Sequence, residues 1–391
     1  MADRFGCLAN NLPFTYLGVK VDANMKRINS WNEVIKKVTT KLSTWKAKTL
    51  SVGGRLTLIK SVLGAIPTYY MSLFKAPEGI LSQLERIHNS FFLGADLDDR
   101  KITWISWRKV MAQKQHSGLG VNNLYSLNLA LLFKWIWRFK STQSGLCTTI
   151  IKAIYGKNRS LDHSITHHYG CSVWTGILKA IAKIKSKGVD LMSFCKIVVG
   201  NGNTFKFWHD KWYGGVCFKD KFHRCFNLEL QKDISVALKL QSPDLASSFR
   251  RRPRSGIEES QFLELQQLLS SVVLSSANDR WTWTLNGHGN FSVKSAREVI
   301  DKHVLIISQS PTRWSKVLPI KLTVFLWRMF LDKLPTRANL SIRSLDIPCT
   351  LCPNCKVGVE TSNHLFFRVP NGFGSVSSSW SLVEYSNPQF Y

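Results

Sequence analysis

The segment Cys349-Thr-Leu-Cys352-Pro-Asn-Cys355 is the sequence feature that most constrains the fold, because metal-ligating residue types cluster there at ligand spacing. Two thiolates three positions apart, on a turn that contains Pro353 and Asn354, can bind one side of a tetrahedral zinc ion. His364, a short hairpin away, can approach from another side. We therefore predict a zinc knuckle with Cys352, Cys355 and His364 as ligands.

The fourth ligand of this predicted site is left open by the sequence. A closed structural zinc site takes four protein ligands, and no Cys or His follows His364. The fourth position belongs to Cys349, to a water molecule, or to nothing. Three thiols within seven residues would strain one tetrahedron. The alternative without a metal is a set of unpaired thiols and a His in the core.

The net charge indicates a polyanionic partner. The chain of 391 residues has 53 Lys and Arg against 25 Asp and Glu, a formal charge of +28. The excess is concentrated in the first 160 residues. Such an excess attracts nucleic acid through its phosphates. A membrane is a poorer candidate, because no run of about 18 apolar residues exists.

The cysteines favour a reducing compartment. Their number, nine, is odd, and six are scattered singly before the knuckle. This usage argues against a disulfide framework. The N-terminus, Met1-Ala-Asp-Arg, has no apolar core of the signal-peptide type. We expect an intracellular protein, either nuclear or cytoplasmic.

Hydrophobic periodicity predicts a mainly α fold with small β-hairpins, of the α+β class. Apolar residues recur at helical spacing after Trp31, at Val34, Val38 and Leu42. Two hairpins are predicted, one joining 195–199 to 204–208 through a Gly-Asn-Gly turn and one joining 281–283 to 291–293 through Asn-Gly. A helical bundle would precede a small helix-and-hairpin zinc-knuckle domain.

The domain organisation predicted from these patterns has six parts. Residues 1–22 would be the end of a preceding domain, and the Ser- and Leu-rich stretch 241–278 would be a linker with one helix. The predicted ranges are 1–22, 23–155 (basic helical bundle), 156–240 (mixed connector with a hairpin near 195–212), 241–278 (linker), 279–370 (zinc-binding domain) and 371–391 (irregular tail).

Basic side chains on the first helices and in the predicted linker are the candidate nucleic-acid contacts. They lie opposite the apolar stripe or in a basic run, where phosphates are accessible. In the bundle they are Lys36, Lys37, Lys41, Lys46, Lys48 and Arg55. In the linker they are Arg250, Arg251 and Arg252.

Rare residue types in a fixed order carry a family resemblance from about residue 12 to residue 368. The motifs include Tyr16-Leu-Gly18, Leu50-Ser-Val-Gly-Gly-Arg55, Pro67-Thr-Tyr-Tyr-Met71, Phe91-Phe-Leu-Gly94, Gly200-Asn-Gly202, Phe207-Trp208, Trp281-Thr-Trp283 and Gly289-Asn-Phe291-Ser-Val-Lys-Ser295. This series resembles plant non-LTR (LINE-type) retrotransposon reverse transcriptases. It is similar to the thumb region that follows the palm, and to the C-terminal zinc-binding region.

The resemblance implies a role in RNA-directed DNA polymerisation for the parent polyprotein. Cys352, Cys355 and His364 match the family's zinc ligands, and the fourth ligand position falls on Val369, which cannot bind zinc. The palm carboxylates that hold the two catalytic metal ions have no counterpart, and the pair Asp98-Asp99 is expected in an acidic loop. We identify no catalytic residue.

Three interpretations of the function stay open at this point. The chain is a nucleic-acid-binding fragment that holds template and primer, with the palm and endonuclease portions of the polyprotein as its missing partners. Alternatively, it carries the family activity of RNA-directed DNA polymerase, which we do not expect of this chain alone. The third interpretation is a decayed, non-functional copy of the element, favoured by Val369 at a ligand position.

Overall fold

The computed structural model of the protein describes residues 14–21, 23–45, 47–95, 102–142, 145–156, 172–305, 314 and 317–368. Within them the fold is mainly helical, with two small antiparallel strand pairs. This confirms the predicted α+β, mainly helical class. Lys46, Asp98-Asp99, Val369 and the predicted tail lie outside the described residues.

The chain forms two compact units that differ from the predicted domains. Unit 1 contains 1–70, 76–125 and 301–391, and unit 2 contains 71–75 and 126–300. The predicted zinc-binding range 279–370 is thus divided between them. The C-terminal part of that range folds with the first helices, which the order of motifs along the chain does not reveal.

Unit 1 begins with a two-stranded hairpin, in which Phe14 pairs with Val21 and Tyr16 with Val19. Its strands and helices are β1 (Phe14–Tyr16), β2 (Val19–Val21), α1 (Asn32–Thr44), α2 (Val52–Leu58), α3 (Thr68–Leu73, ending in unit 2), α4 (Glu78–Leu93), α5 (Trp107–Met111) and the start of α6 (Leu124–Ser141).

Apolar spacing explains helices α1 and α4. In α1, Val34 and Val38 are fully buried, one helical turn apart, as the period of 3.6 residues requires. Pro77 precedes α4, and Gly94 ends it in the left-handed conformation at φ 68°. A glycine adopts that conformation without steric cost, so it is a favourable C-terminal cap.

Unit 2 contains most of α6 and the helices and strands up to residue 300. They are α7 (Leu146–Tyr155), α8 (Val173–Ser186), β3 (Cys195–Val198), α9 (Phe218–Lys221), α10 (His223–Leu228), α11 (Val236–Gln241), α12 (Ile257–Ser270), β4 (Arg280–Trp283) and the start of α13 (Val293–Val304). Its aromatic core includes Phe207, Trp208 and Phe222, all fully buried.

Both predicted local hairpins of unit 2 are wrong in their pairing. Strand β3 pairs with β4, in the register Cys195 to Trp283 and Val198 to Arg280. The turn at 200–204 instead encloses the Asp279 carboxylate, which accepts hydrogen bonds from the backbone N–H groups of Gly200, Gly202 and Thr204 at 2.7–2.8 Å. Those N–H groups therefore bind a side chain rather than a neighbouring strand.

The predicted linker 241–278 is part of the unit 2 core. Helix α12 buries Leu265 and Leu269 in the aromatic cluster. Arg251 forms a two-pronged ion pair with Glu258 at 2.8 and 2.9 Å, which fastens the basic run to this helix. The Ser- and Arg-rich composition favours a solvated linker, whereas Leu265 and Leu269 hold the segment in the core.

The C-terminal part of unit 1 contains α14 (Ile320–Phe330), α15 (Arg337–Ile342) and a short π-helical segment (His364–Arg368). Helix α14 packs against α2 at Gly53, where an added Cβ would lie 2.8 Å from the backbone nitrogen of Lys321. Among the described residues, no helix is both long and apolar enough to cross a membrane.

Candidate metal centre

A tight reversal of the chain brings the two thiols and the imidazole together. Leu351 and Val359 form a single antiparallel bridge. Beside it, the Cys352 N–H donates to the Gly358 carbonyl at 2.7 Å, and the Lys356 N–H donates to the Cys352 carbonyl at 2.8 Å. Lys356 adopts the left-handed conformation at φ 58°, which turns the chain back after Cys355.

The predicted ligand atoms of Cys352, Cys355 and His364 all lie within 4.8 Å of one another. Cys355 Sγ is 3.0 Å from His364 Nε2. Cys352 is buried, whereas Cys355 and His364 are half-buried. Among the described residues, this is the group of His, Cys, Asp and Glu side chains placed to hold a metal ion.

Gly358 makes room for the imidazole. A Cβ added at this position would lie 2.7 Å from His364 Cε1 and 3.0 Å from His364 Nδ1. At separations this short the atoms would clash, and the atoms that would have to move belong to the His364 ring. The absence of a side chain at Gly358 thus determines how closely His364 approaches Cys355.

The backbone around His364 is fixed by Thr361. Its Oγ1 accepts a hydrogen bond from the His364 N–H at 3.1 Å, and its carbonyl accepts one from the Leu365 N–H at 3.0 Å. A Thr in this role caps the first turn of a helix. The Phe366 ring packs edge-on against Phe325 of α14, with centroids 5.8 Å apart.

Helix α15 supports the reversal from its other side. Arg337 donates from Nη1 to the Leu351 carbonyl at 3.1 Å, and its Nε lies 3.4 Å from Glu360 Oε2. The Ala338 N–H donates to the Glu360 carbonyl at 3.3 Å. These contacts hold both arms of the reversal, so the ligand positions do not depend on the Cys-rich turn alone.

Backbone N–H groups favour the thiolate at Cys355. Hydrogen bonds from Gly358 and Val357, with smaller contributions from His364 and Cys352, lower the pKa of Cys355 to about 6. A zinc ion binds the thiolate rather than the thiol. The local structure therefore prepares Cys355 for a metal at neutral pH.

Cys349 does not join this group. It is exposed, and its sulfur accepts a hydrogen bond from the Leu351 N–H at 3.4 Å. The other proposed fourth position, Val369, lies outside the described residues. Two thiolates and one imidazole are three ligands of the kind that zinc prefers, and separations of at most 4.8 Å between their ligand atoms allow all three to reach one ion.

Three of the lysines predicted to contact nucleic acid are exposed on α1. They are Lys36, Lys37 and Lys41, while Val34 and Val38 of the same helix are buried. Lys37 Nζ lies 5.7 Å from the centroid of the Tyr70 ring. Lys48 is exposed in the turn after α1.

Three of the four arginines predicted to contact nucleic acid form contacts within their own units. Arg55 donates to the carbonyls of Phe92, Ala47 and Leu50 at 2.9–3.0 Å. Its side chain thereby ties the turn before α2 to the end of α4. The basic run of unit 2 is paired in two places: Arg251 binds Glu258, and Arg252 lies 3.2 Å from Asp244. Arg250 is exposed.

The sequence predicts the three residues that cluster, Cys352, Cys355 and His364, but not the residues that support them. Gly358, Thr361 and Arg337 contact the ligands or the reversal that presents them. A glycine close after the second Cys was the available signal for Gly358. Arg337 gave no signal, because its partners Leu351 and Glu360 lie on either side of the Cys-rich turn.

Comparison with known proteins assigns the region that contains these ligands. Residues 291–371 match the family described as zinc-binding in reverse transcriptase. This stretch is therefore similar to the zinc-binding region of reverse transcriptases. Cys352, Cys355 and His364 all lie within it.

Two proteins of Arabidopsis thaliana are similar over longer stretches. One, named "Putative ribonuclease H protein", is 29% identical over 359 residues, which are 89% of this chain and 56% of that protein. The other, an uncharacterized mitochondrial protein, is 26% identical over 149 residues, which are 38% of this chain and 92% of that protein. The chain thus spans little more than half the length of the first relative.

Proposed function

We propose that the chain is a nucleic-acid-binding part of a retrotransposon reverse transcriptase of the LINE type, comprising the thumb region and the zinc-binding region. The observation that carries the proposal is the Cys352, Cys355 and His364 cluster, found within the stretch that matches the zinc-binding family. The motifs between residues 16 and 94 support the thumb assignment. In this proposal the catalytic palm belongs to another part of the polyprotein.

The role of the metal is structural in this proposal. A zinc ion bound by Cys352, Cys355 and His364 would hold the chain reversal closed and fix the segment after it against α14. When bound, the ion supplies cross-linking of these ligands rather than hydrolysis. The residues themselves bind and position; they transfer no group.

Binding would take place through phosphates. The net charge of +28 and the exposed side chains of Lys36, Lys37 and Lys41 attract the backbone of RNA, DNA or a hybrid without reading its sequence. Such binding releases counterions, so its affinity falls steeply as salt is added. The expected slope is roughly 0.7–0.9 in log K per log unit of salt for each phosphate contact.

The test is a salt-titrated binding series on labelled RNA, DNA and hybrid, with and without a zinc chelator. We expect a steep salt dependence for all three ligands. A variant with Lys36, Lys37 and Lys41 changed to Gln should show a smaller slope. Affinity that does not change with salt would overturn the proposal.

A primer-extension assay tests the assignment of catalysis to another part of the polyprotein. Two-metal phosphoryl transfer requires carboxylates that hold the ions. We expect the purified protein to bind a template–primer and to incorporate no nucleotide. The controls are a matched preparation of the Cys355→Ser variant and a reaction without protein. If the wild type incorporates more nucleotide than both controls, this part of the proposal is contradicted.

A further inference from the structure

Three lysines surround a tight turn of unit 1, at residues 113–120. Lys60 Nζ donates a hydrogen bond to the Leu119 carbonyl at 2.5 Å, and Lys109 Nζ donates to the His116 carbonyl at 3.3 Å. Lys114 begins the short 3-10 helix Lys114–His116 on the turn itself. We call Lys60, Lys109 and Lys114 the lysine cluster.

The turn holds its shape independently of the lysines. The Gly118 N–H donates to the Gln113 carbonyl at 3.0 Å, and the Gly120 N–H donates to the Ala112 carbonyl at 2.8 Å. A Cβ added at Gly118 would lie 1.9 Å from the Ala112 carbonyl oxygen, so the two backbone segments touch there. Trp327 of α14 fastens the turn by donating from Nε1 to the Ser117 carbonyl at 2.9 Å.

The cluster has an excess of positive charge that carboxylates of the described residues do not neutralise. Lys20, Lys185 and Lys221 each pair with an Asp or Glu at 2.7–2.9 Å. The three cluster lysines contact carbonyl oxygens or, for Lys114, the face of Trp314 at 5.2 Å. Carbonyl oxygens position an ammonium group without cancelling its charge.

The side chains of Lys60 and Lys114 also lie close to each other. A Cβ added at Gly120 would lie 3.8 Å from Lys60 Nζ and 3.9 Å from Lys114 Cγ, so both side chains approach the same glycine. Burial, together with the charge of Lys114, lowers the pKa of Lys60 to about 8. An anion bound near Lys60 and Lys114 would relieve the repulsion between these two charges.

We propose that the lysine cluster binds backbone phosphates of a nucleic-acid strand. The inference rests on the proposed function and adds a contact site in a part of the chain separate from the α1 lysines. Phosphate is the anion that this arrangement favours, because ammonium groups on and beside the turn can each donate to one of its oxygens. Free pyrophosphate shares this chemistry and is the competing source.

The experiment compares two triple variants of the full chain. In one, Lys60, Lys109 and Lys114 are changed to Gln. In the control, Lys179, Lys187 and Lys294 are changed to Gln, which removes the same charge from exposed positions of unit 2. The binding of a labelled single-stranded oligonucleotide is measured by fluorescence anisotropy over a series of salt concentrations.

We expect the salt slope of the cluster variant to fall by about 2–3, because each lost phosphate contact removes roughly 0.7–0.9. The control should lose less than about one. Changing the three cluster lysines to Arg keeps the charge and should preserve the slope. Should the Gln triple variant not fold, as judged by thermal unfolding, the exposed Lys114→Gln variant decides through an expected loss of about 0.7–0.9.

Two results separate this inference from the proposed function. In the first, the affinity of the wild type falls steeply with salt, but the cluster and control variants have equal salt slopes. This result would contradict phosphate binding by the lysine cluster and leave the proposed function standing. Absence of salt-dependent binding by the wild type would overturn both. Calorimetry measures the binding of pyrophosphate to the wild type and to the cluster variant. If the cluster variant loses pyrophosphate binding while its salt slope for the oligonucleotide is unchanged, the cluster is a site for free phosphate, and its assignment to nucleic acid is overturned.

Discussion

Gly358 is the residue on which the geometry of the candidate metal centre depends most closely. Its Cα faces the imidazole of His364, and its N–H favours the thiolate of Cys355. One residue without a side chain thereby affects two of the three ligands. The spacing of Cys352, Cys355 and His364 could be read from the sequence, whereas this packing could not, because it arises from the folded turn.

The Gly358→Ala change tests that dependence. The new methyl group would displace His364, and we expect the affinity for zinc to fall by about 10- to 100-fold, the usual loss when a residue that orients a ligand is altered. The measurement is a zinc titration against a competing chelator. Gly287→Ala is the matched control, because a Cβ there meets no atom within 4 Å. Equal zinc affinities in the two variants would contradict the role of Gly358.

Lys239 and Glu229 form a buried ion pair in the core of unit 2. The fully buried Lys239 Nζ lies 2.5 Å from Glu229 Oε2, which also accepts a hydrogen bond from Trp208 Nε1 at 3.0 Å. The ammonium group further donates to the Leu245 carbonyl and Ser248 Oγ. Every polar atom of this pair is engaged, which is the condition for retaining charges in a core.

Removing one member of the pair should be more damaging than removing both. Lys239→Met leaves the Glu229 carboxylate buried without its cation, and we expect the free energy of unfolding to fall by about 3–5 kcal/mol. The double variant Lys239→Met, Glu229→Gln should lose less. Urea denaturation of both variants provides the measurement. A double variant less stable than Lys239→Met would refute this account of the pair.

Strands β3 and β4 show which features of a strand can be predicted from local sequence. The β-forming runs at 195–199 and 281–283 were placed correctly, and their partners were assigned wrongly. Hairpin rules consider only neighbours in sequence, and the actual pairing joins residues 195–198 with 280–283. Helix α1 was predicted well because its periodicity is local. The sequence predicts a helix within 241–278 but not its packing into the core, because burial of Leu265 and Leu269 depends on distant aromatic residues.

The Asp279 carboxylate is the contact that fixes this pairing. It accepts three backbone hydrogen bonds from the turn that follows β3. Asp279→Asn replaces one carboxylate oxygen with an N–H₂ group, which cannot accept from those donors. We expect unit 2 to lose about 1–3 kcal/mol of stability in urea denaturation. Glu259→Gln removes the same charge from an exposed position of α12 and should lie within about 0.5 kcal/mol of wild type.

At the scale of the whole molecule, charge and the metal-ligand cluster point to the same kind of function. The net charge of +28 follows from the amino-acid sequence alone, and it is the basis for expecting a polyanionic partner. The structure shows contacts that cationic side chains form within the protein. Arg55, Arg251 and Arg252 make contacts within their units, and Lys36, Lys37 and Lys41 are exposed on α1.

The central proposal is that Cys352, Cys355 and His364 hold one zinc ion, within the stretch that matches the zinc-binding family of reverse transcriptases. Elemental analysis of the purified full-length chain, with native mass spectrometry to count ions, tests it most directly. The account predicts one zinc per chain in the wild type and in Cys349→Ser, and none in Cys355→Ser. A wild type without zinc, or a Cys355→Ser variant that retains a full equivalent, would contradict it.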